Sequence, residues 1–421
     1  MAIRKIRVKN FKSFKDLEVK LGNLNILIGA NASGKSNFVE IFRFLRDIRN
    51  SGLENAISLQ GGAEYLRNMN MDSSEHLSLE VISKTPDQEP GIVMKKEEEE
   101  ELLGIKTCET TYKFAIRFEE AGADFEIAED KLIQKCDFFK LEKAGAETEE
   151  VEKLESGKFI LSCVKGKVSV ESDPPKEDIF PPSLVEKKLN SKVLLLETEF
   201  PLFLMPSSLP ESVLGSFSIY DFDPRLPKKF APRAGKAELE ENGENLAIVL
   251  RNIMANSDEK RKFFNLVKYL LPFVDDVSVE RALDKSLLLR IRETFSKEFL
   301  PSFLISDGTI NMIALVLALY FGKKPITIIE EPERNIHPHL ISKVVHMMED
   351  ASQSKLSNQI IVTTHNPEMV KHADPKNLLL ISRNREGFSS ISRPHDKEKV
   401  KIFLENEIGI EDLYVDSLLE I

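Results

Sequence analysis

Apolar and polar residues alternate along the first part of the chain, which is typical of strands with one buried face. The alternation runs through residues 3–8 and again through 17–21, on either side of the turn-like sequence KNFKSFKD, and it predicts a hairpin. A further apolar stretch, Leu24 to Ile28, ends at Gly29, after which residues 37–48 carry apolar side chains at helical spacing. The pattern therefore predicts a strand, a glycine loop and a helix in that order.

The hydrophobic pattern changes to a period of two between about residues 76 and 170, which predicts an antiparallel sheet. An acidic run from Lys95 to Glu101 interrupts this region and is predicted to be a solvated loop. Residues 173–235 contain half of the chain's 20 prolines, so they are predicted to be irregular, with short helices, and to connect the parts on either side.

Helical spacing returns from Leu239 onward in the sequences ENLAIVLRNI and KFFNLVKYLLPFV. The apolar runs PITIIE and NQIIVTTH flank another helical segment, an alternation that is typical of a parallel sheet. We therefore predict an α/β fold in which a mixed sheet is accompanied by an antiparallel β subdomain and a helical lobe. The predicted divisions are 1–90 and 236–421 for the two parts of one α/β domain, and 91–235 for a β-rich acidic insertion with its Pro-rich lobe. No heptad run is long enough for a coiled-coil arm.

Composition argues against several classes of protein. The 421 residues are 42% hydrophobic and 30% charged, which is the balance of a globular chain. The three cysteines are widely spaced and suggest neither a disulfide framework nor a paired-cysteine metal site. The longest apolar run is much shorter than a bilayer span, and the N-terminus lacks the apolar core of a secretory signal. We therefore expect a cytoplasmic protein with no membrane partner.

The net charge of −11 bears on nucleic-acid binding, because polyanions bind to positive surfaces. Residues 91–190 account for −8 of this charge, which leaves the rest of the chain nearly neutral. A neutral body can still carry a local basic patch, so the acidity weakens a DNA-binding hypothesis but does not remove it.

Residues 29–36, GANASGKS, match the phosphate-binding pattern G-x-x-x-x-G-K-[ST] and stand between the predicted strand and helix that this loop requires. The glycines let backbone N–H groups turn onto a phosphate, and the helix N-terminus adds a positive end. Lys35 is placed to reach the β- and γ-phosphates, and Ser36 to ligate magnesium. The alternative is an accidental glycine turn, which the flanking elements disfavour.

Two predicted strands in the last third end in residues that could serve catalysis. The first ends at Glu330 and Glu331, where Glu330 would hold the magnesium shell and Glu331 would polarise the attacking water. The second ends at His365, which could contact the γ-phosphate or that water. Because ligands bind at the carboxyl ends of parallel strands, these residues are predicted to lie beside the phosphate loop. Taken alone, the same features would indicate a solvated acidic turn and a surface histidine.

A fourth feature is the sequence Ser306-Asp307-Gly308-Thr309, which precedes the apolar helix NMIALVLALYFG. Ser306 or Asp307 as the N-cap of this helix is sufficient to explain the local sequence. A helix N-terminus with glycine and hydroxyl groups is also an anion site. Local physical chemistry leaves both interpretations open.

Taken in this order, the four elements resemble the ABC-type ATPase heads of the SMC, RecF and OLD kind, within the AAA-family ATPases of ABC fold. The opening sequence IRVKNFKSF, at 6–14, is similar to that group's first strand and differs from transporter ATPases. The resemblance covers roughly 1–90 and 236–421, with a weaker match at 218–225. It implies ATP and Mg²⁺ as ligands and a homodimer that sandwiches ATP, in which residues 305–309, as the signature, close over ATP bound to the opposite subunit.

The resemblance also implies roles for individual residues. Glu331 and His365 would be catalytic, with His365 as the switch histidine, and residues 335–338 would form a dimer-interface loop. Ser36 and Glu330 would hold the metal ion. The residues that would bind ATP are Asn31, Gly34, Lys35, Ser36, Asn37, Lys12, Ser306 and Gly308. The chain departs from the group in two ways: Glu330 stands where most ABC proteins have aspartate, and the only nearby candidate for a glutamine loop is Gln60.

The leading hypothesis is a DNA-associated ATPase that acts as a nucleotide-gated dimeric switch in repair or in anti-phage defence. Only 56 residues follow His365, which is too few for the TOPRIM nuclease domain of related proteins, so a nuclease or effector is expected to be a separate chain. Candidates for a DNA face are six basic residues whose alternation would equally give a solvated edge: Arg4, Lys5, Arg7, Lys9, Lys12 and Lys15. Two alternatives stay open: a nucleotide-gated scaffold whose acidic insertion binds a protein, and, less favoured, a transporter ATPase subunit.

Overall fold

The computed structural model describes residues 2–72, 74–85, 92–95, 102–119, 124–144, 147–173, 188–198, 217–282, 285–353 and 359–394. The chain divides into two compact units. The first unit is drawn from 1–22, 37–217 and 383–391, and the second from 23–36, 218–382 and the residues after 391. The three-part division at residues 90 and 235 stays a prediction.

The described strands, in chain order, are β1 (Ala2–Phe11), β2 (Phe14–Lys20), β3 (Leu24–Ile28), β4 (Leu77–Lys84), β5 (Ile92–Lys95), β6 (Leu102–Phe118), β7 (Phe125–Ala144), β8 (Glu147–Val164), β9 (Lys167–Asp173), β10 (Phe217–Tyr220), β11 (Val274–Arg281), β12 (Leu287–Glu293), β13 (Phe299–Pro301), β14 (Ile326–Glu330), β15 (Gln359–Thr364), β16 (Leu378–Arg383) and β17 (Ser389–Ser392). The described helices are α1 (Lys35–Ser51), α2 (Leu53–Leu59), α3 (Ala63–Leu66), α4 (Leu246–Met254), α5 (Ser257–Leu270), α6 (Asp307–Tyr320), α7 (Pro338–Gln353) and α8 (Pro367–His372). Of the predicted acidic loop, Lys95 ends β5, and residues 96–101 lie outside the described residues.

An antiparallel sheet forms the body of the first unit, in the strand order β2-β1-β4-β6-β7-β8-β9, with β5 paired to β6. In β1 the side chains of Ile6 and Val8 are buried, while Arg7 between them is exposed. Val8 lies opposite Leu17 of β2 on one side and Leu79 of β4 on the other, so apolar residues from three strands share one face. The predicted hairpin and the predicted antiparallel sheet are both confirmed.

A buried carboxyl group lies within this sheet. Asp130 of β7 is only 2% exposed. It accepts one hydrogen bond from the Tyr112 hydroxyl of β6 at 2.9 Å and another from the backbone N–H of Leu195 at 2.7 Å. Burial raises the pKa of Asp130 to about 7, and the two donated hydrogen bonds limit the rise. The carboxyl group therefore joins the sheet to the segment 188–198.

The stability of the protein should depend on pH through Asp130. Its pKa is about 7 in the folded protein, against about 3.9 in an unfolded chain. The folded state therefore binds this proton more tightly, and its contribution to the free energy of unfolding is lost as the pH rises through 7. Between pH 5 and 8 this loss should amount to roughly 2–3 kcal/mol. Urea unfolding of the wild type and of Asp130→Asn at both pH values would measure it, since the asparagine has no such proton. Equal pH dependence in the two proteins would contradict the prediction.

A largely parallel sheet forms the centre of the second unit, in the order β10-β14-β15-β3-β16. Parallel registers align Ile328 with Ile361, Val362 with Ile26, and Leu380 with Ile28. Every residue of β3 and β15 is buried, as expected for a parallel sheet that is covered on both faces. Because β14, β15 and β3 run in the same direction, their carboxyl ends lie at one edge of the sheet. The predicted β-α-β alternation is confirmed.

Two elements of the second unit differ from the predictions. Residues 217–220 form the strand β10, although this stretch was expected to be irregular with short helices. The predicted helical lobe contains α4 and α5, but a three-stranded antiparallel sheet, β11-β12-β13, follows it. No clear alternation of apolar and polar residues in the sequence predicts this sheet. Its strands show incomplete burial alternation, so packing rather than local pattern determines them. Among the described helices, none is long and apolar enough to cross a lipid bilayer.

Candidate active site

A glycine-rich loop joins β3 to α1. Gly29 directly follows β3, and a Cβ atom there would lie 2.4 Å from the carbonyl oxygen of Ile381, so only glycine fits against this backbone. Ala32 and Gly34 have positive φ angles of 64° and 110°. Helix α1 begins at Lys35, which places its first N–H groups at the end of the loop. These features give the loop the shape into which a phosphate group would fit.

The Lys35 ammonium group is held by its own loop. Nζ donates hydrogen bonds to the carbonyl oxygens of Gly29 at 2.7 Å and Ala30 at 2.9 Å. Burial lowers the pKa of Lys35, while the negative charges of Glu331 and Glu333 act in the opposite direction. A bound phosphate would replace the two carbonyl groups as the partner of this cation.

Glu331 follows β14 in a turn that reverses its backbone. Its φ angle of 44° is uncommon for a residue with a side chain, and its N–H donates to the carbonyl oxygen of Thr363 at 3.0 Å. Oε1 lies 2.7 Å from Nδ1 of His365, and Oε2 accepts a hydrogen bond from Nη2 of Arg334 at 3.1 Å. Burial acts to raise the pKa of Glu331, but the hydrogen bonds from Arg334 and His365 prevail and hold it below its usual range. The structure therefore brings together the two residues that were predicted to be catalytic.

Two side chains with oxygen atoms were predicted to hold a magnesium ion. Glu330 ends β14 with its side chain partly buried, and Ser36, in the first turn of α1, is exposed, as is Asn31 earlier in the loop. Mg²⁺ prefers oxygen ligands and is often held by one or two protein groups together with phosphate oxygens, so a hydroxyl and a carboxylate fit it. Within the part of the chain that the structure describes, no three His, Cys, Asp or Glu side chains form a metal cage. The roles of Ser36 and Glu330 in holding a metal ion stay predictions.

Sequence reasoning missed Arg334, which lies in the turn after β14. Besides its contact with Glu331, its Nη1 donates to Oδ1 of Asp221 at 2.8 Å. Asp221 directly follows β10, inside the sequence at 218–225 that gave a weaker match. Neither periodicity nor motif spacing marks a charged residue in a turn, so that weaker match was the only available signal.

Glu333 is a second residue that sequence reasoning missed. The sequence EEPE suggests a solvated acidic turn, yet Glu333 is only 5% exposed. Its Oε1 accepts a hydrogen bond from Oγ1 of Thr364, and its Oε2 has no hydrogen-bond partner among the described residues. Burial raises the pKa of Glu333. The side chain therefore connects the turn after β14 to the residue that precedes His365.

The predicted signature forms the N-terminus of α6. Ser306 Oγ accepts a hydrogen bond from the backbone N–H of Thr309 at 3.1 Å, which confirms its interpretation as the N-cap. A Cβ atom at Gly308 would lie 2.5 Å from the carbonyl oxygen of Asn335, so close packing already requires glycine at this position. Asp307 forms an ion pair with Lys228. The role of this helix end in anion binding stays a prediction.

The signature lies beside the loop that was predicted to form a dimer interface. A cavity of about 740 Å³ is lined by residues 306–309, by 335–337 and by the end of α5 at 270–273. The amide of Asn311 in α6 donates to the carbonyl oxygen of Arg334 at 2.7 Å, so the two segments are joined by a hydrogen bond as well as by packing.

Three further residues that the sequence analysis named, Lys12, Asn37 and Gln60, lie in the first unit, and each contacts a side chain there. Nζ of Lys12 is 3.9 Å from Oε2 of Glu40, and Nε2 of Gln60 donates to the same oxygen at 2.7 Å. Burial lowers the pKa of Lys12, and Glu40 acts against this. The amide of Asn37 donates to Oγ of Ser13 at 2.8 Å. The roles of Lys12 and Asn37 in ATP binding stay predictions.

The basic residues near the N-terminus lie opposite acidic residues on the neighbouring strands. The ion pairs are Lys5–Glu18 at 2.8 Å, Arg7–Glu18 at 2.6 Å, Arg7–Glu80 at 2.8 Å and Lys9–Asp16 at 3.7 Å. Hydrogen bonds from Lys5 and Arg7 lower the pKa of Glu18 to about 2. Much of the positive charge in this run is therefore already paired, which favours the interpretation as a solvated edge over a DNA face.

Two protein families match adjoining segments of the sequence. The family described as "AAA ATPase domain" matches residues 1–200, and the family described as "AAA domain, putative AbiEii toxin, Type IV TA system" matches residues 198–371. The first segment contains the glycine loop, and the second contains the signature, the end of β14 and His365.

Similar curated proteins include two named DNA replication and repair protein RecF. The protein from Chlamydia abortus is 43% identical over 61 residues, which is 14% of this chain and 17% of that protein. The protein from Lactococcus lactis subsp. cremoris is 44% identical over 46 residues, which is 11% of this chain and 13% of that protein. The matched segments thus span less than a fifth of the length of these relatives.

Solved structures with a similar fold include two SMC heads. A head bound to the C-winged helix domain of ScpA superposes with a TM-score of 0.52 at 15% identity, covering 93% of this chain and 98% of that one. A head with an extended coiled coil, bound to the C-terminal domain of ScpA derived from Pyrococcus furiosus, gives a TM-score of 0.51 at 13% identity, with 96% and 99% covered. At such identities the likeness shows the fold, which is that of an SMC head.

Proposed function

Since this chain is an ABC-type ATPase head of the SMC and RecF kind, we propose that it binds ATP with Mg²⁺ and hydrolyses it to ADP and phosphate. The observation that carries this proposal is the arrangement at one edge of the parallel sheet. There the phosphate loop with Lys35 follows β3, and Glu331 and His365 follow β14 and β15, with the two side chains in contact.

The proposed mechanism assigns one task to each side chain. Lys35 would bind the β- and γ-phosphates in place of the carbonyl groups that it contacts now. Ser36 and Glu330 would hold Mg²⁺, which when bound supplies positive charge to the phosphate oxygens. Glu331 would accept a hydrogen bond from the attacking water and then its proton, while His365 would orient Glu331 or contact the γ-phosphate.

We propose further that hydrolysis is coupled to a homodimer in which the signature of one chain closes over ATP on the other. The exposed Ser306 at the start of α6 and the adjoining cavity support this, because they leave a concave surface next to a helix N-terminus. Gly308 is a poor site for a test, since any side chain there would first collide with Asn335. Ser306 is better, because it caps the helix through a single hydroxyl group.

Replacing Ser306 by arginine should prevent ATP-dependent dimerisation without preventing ATP binding. The test compares Glu331→Gln, which should retain ATP, with the double variant Glu331→Gln and Ser306→Arg, sized by light scattering with and without ATP. Glu331→Gln alone should form a dimer when ATP is added. In the double variant, the bulk and charge of arginine should prevent this ATP-dependent dimer. Ser306→Ala serves as the control, since it removes the cap, at a cost of about 1 kcal/mol, without adding bulk. An ATP-dependent dimer in both variants would argue that Ser306 is only a helix cap.

We propose that this switch works on DNA, in repair or in anti-phage defence, in the cytoplasm and with a separate nuclease or effector chain. Similarity to proteins named for DNA replication and repair supports this, and so does the match to a family described as a toxin system. The second candidate is a nucleotide-gated scaffold that binds a protein, which the ion-paired N-terminal run and the ScpA-bound heads favour. Binding of duplex DNA that requires ATP and weakens with salt would support the first candidate over the second.

A further inference from the structure

Four charged or titratable side chains form a continuous chain of contacts around Glu331. Asp221 contacts Nη1 of Arg334 at 2.8 Å, Nη2 of Arg334 contacts Oε2 of Glu331 at 3.1 Å, and Oε1 of Glu331 lies 2.7 Å from Nδ1 of His365. All four residues belong to the second unit. Arg334 therefore divides its guanidinium group between two carboxylates, one of which is the proposed catalytic group.

This arrangement restrains the orientation of the Glu331 carboxylate. Both of its oxygen atoms already have a donor or a ring nitrogen within hydrogen-bond distance. The attraction between the guanidinium group and Oε2 is stronger than at a free surface, because the Glu331 side chain is only 24% exposed. Turning Glu331 toward an attacking water therefore requires its contact with Arg334 to be loosened.

The second contact of Arg334, with Asp221, offers its guanidinium group an alternative carboxylate partner. Asp221 follows β10, whereas Arg334 and Glu331 lie in the turn after β14, so Asp221 offers an anchor on a different segment of the chain. The Asp221 and Arg334 side chains are 47% and 41% exposed, which leaves both free to adjust. A guanidinium group has N–H donors along more than one edge of its plane, so it can shift hydrogen bonds from one carboxylate to the other while it stays near both.

We propose that Arg334 is a positioning residue that restrains Glu331, and that Asp221 retains Arg334 when Glu331 is released toward the attacking water. The inference rests on the proposed ATPase function and concerns how the rate of that reaction is limited. Arg334 restrains Glu331, whereas Asp221 competes with Glu331 for the guanidinium group of Arg334. Variants of Arg334 and Asp221 should therefore change the rate of hydrolysis in opposite directions.

The test measures kcat and KM for ATP hydrolysis by the full chain, by phosphate release, in four variants: Arg334→Gln, Arg334→Lys, Asp221→Asn and the double variant Arg334→Gln with Asp221→Asn. Arg334→Gln removes the charge but keeps a donor, and it should raise kcat about three- to tenfold with little change in KM. Asp221→Asn should lower kcat about two- to threefold, because the guanidinium group then favours Glu331. The double variant should match Arg334→Gln alone, since Asp221 acts only through Arg334. Arg334→Lys restores a cation and should return kcat toward the wild-type value.

Three results would overturn the inference. One is a fall in kcat for Arg334→Gln in a protein that melts at the wild-type temperature, because Arg334 would then assist catalysis. Another is a double variant whose rate lies below that of Arg334→Gln. The third is a kcat of Arg334→Gln equal to that of the wild type, because Arg334 would then not restrain Glu331. Failure of the proposed function would be distinct from these, since the wild type would then lack ATP binding or turnover, or Glu331→Gln would hydrolyse ATP as fast as the wild type.

Discussion

Replacing Lys35 by alanine should weaken ATP binding by a factor of roughly 30 to 4000. Lys35 is 8% exposed and its ammonium group is held at the loop by two carbonyl groups, so it is already positioned to meet the β- and γ-phosphates. Losing one partner of a buried charge pair costs about 2–5 kcal/mol, and each 1.4 kcal/mol is tenfold in affinity. Titration calorimetry with ATP and Mg²⁺ would measure the change.

The control for this substitution is Lys268→Ala, which removes a lysine from the exposed face of α5. That variant should bind ATP as the wild type does. Lys35→Ala also removes two hydrogen bonds within the loop, so thermal unfolding of both variants should be compared in the absence of ATP. A folded Lys35→Ala protein with unchanged ATP affinity would contradict the assignment of the phosphate loop.

Replacing Glu331 by glutamine should leave ATP affinity within a few-fold of the wild-type value but lower the rate of hydrolysis about 100- to 1000-fold. A positioned base commonly contributes a factor of this size, and the amide oxygen of glutamine is a far weaker proton acceptor than a carboxylate. The substitution keeps the size of the side chain and an oxygen that can still contact Arg334 or His365. Phosphate release under saturating ATP, with ATP binding measured on the same preparation, separates the two effects.

Glu368→Gln is the matched control for Glu331→Gln, because Glu368 lies on α8 and pairs with the exposed Lys371. It should hydrolyse ATP at the wild-type rate. Should Glu331→Gln retain hydrolysis within a few-fold of the wild type, the proton acceptor would have to be another group. Glu333 would then be the next residue to replace, since it is buried and contacts Thr364.

Strand ends were the most predictable part of this protein. An apolar run that stops at a glycine, a glutamate or a histidine is a local pattern, and the parallel pairing of β14, β15 and β3 follows from the β-α-β alternation. The contact between Glu331 and His365 could therefore be anticipated, whereas the positive φ angle of Glu331 could not. That angle is a property of the turn after β14, which no residue of the sequence EEPE requires.

Interactions between distant charges were the least predictable part. Asp221 and Arg334 are 113 positions apart, and nothing in either local sequence indicates the other. Glu333 shows the opposite difficulty, because a third acid in a short acidic run is expected in solvent and is instead buried. The ion pairs between β1 and β2 required only the register of the predicted hairpin, which the structure supplies by placing Arg7 opposite Glu18. The long-range pairs, by contrast, depend on packing that only the complete fold determines.

The order of strands in the parallel sheet has a consequence for synthesis of the protein. Strand β3, which carries the glycine loop, pairs with β15 and β16, and its Asn25 is hydrogen-bonded to Ile360, 335 positions later in the chain. At roughly 5–20 residues per second, a ribosome needs roughly 17–70 seconds to make the missing partners. During that interval β3 is an apolar strand with two unpaired edges, and the nascent chain has no completed nucleotide site. If ATP binds as proposed, it can therefore stabilise the chain only after β15 and β16 have been made, and we expect chaperones to matter most before that point.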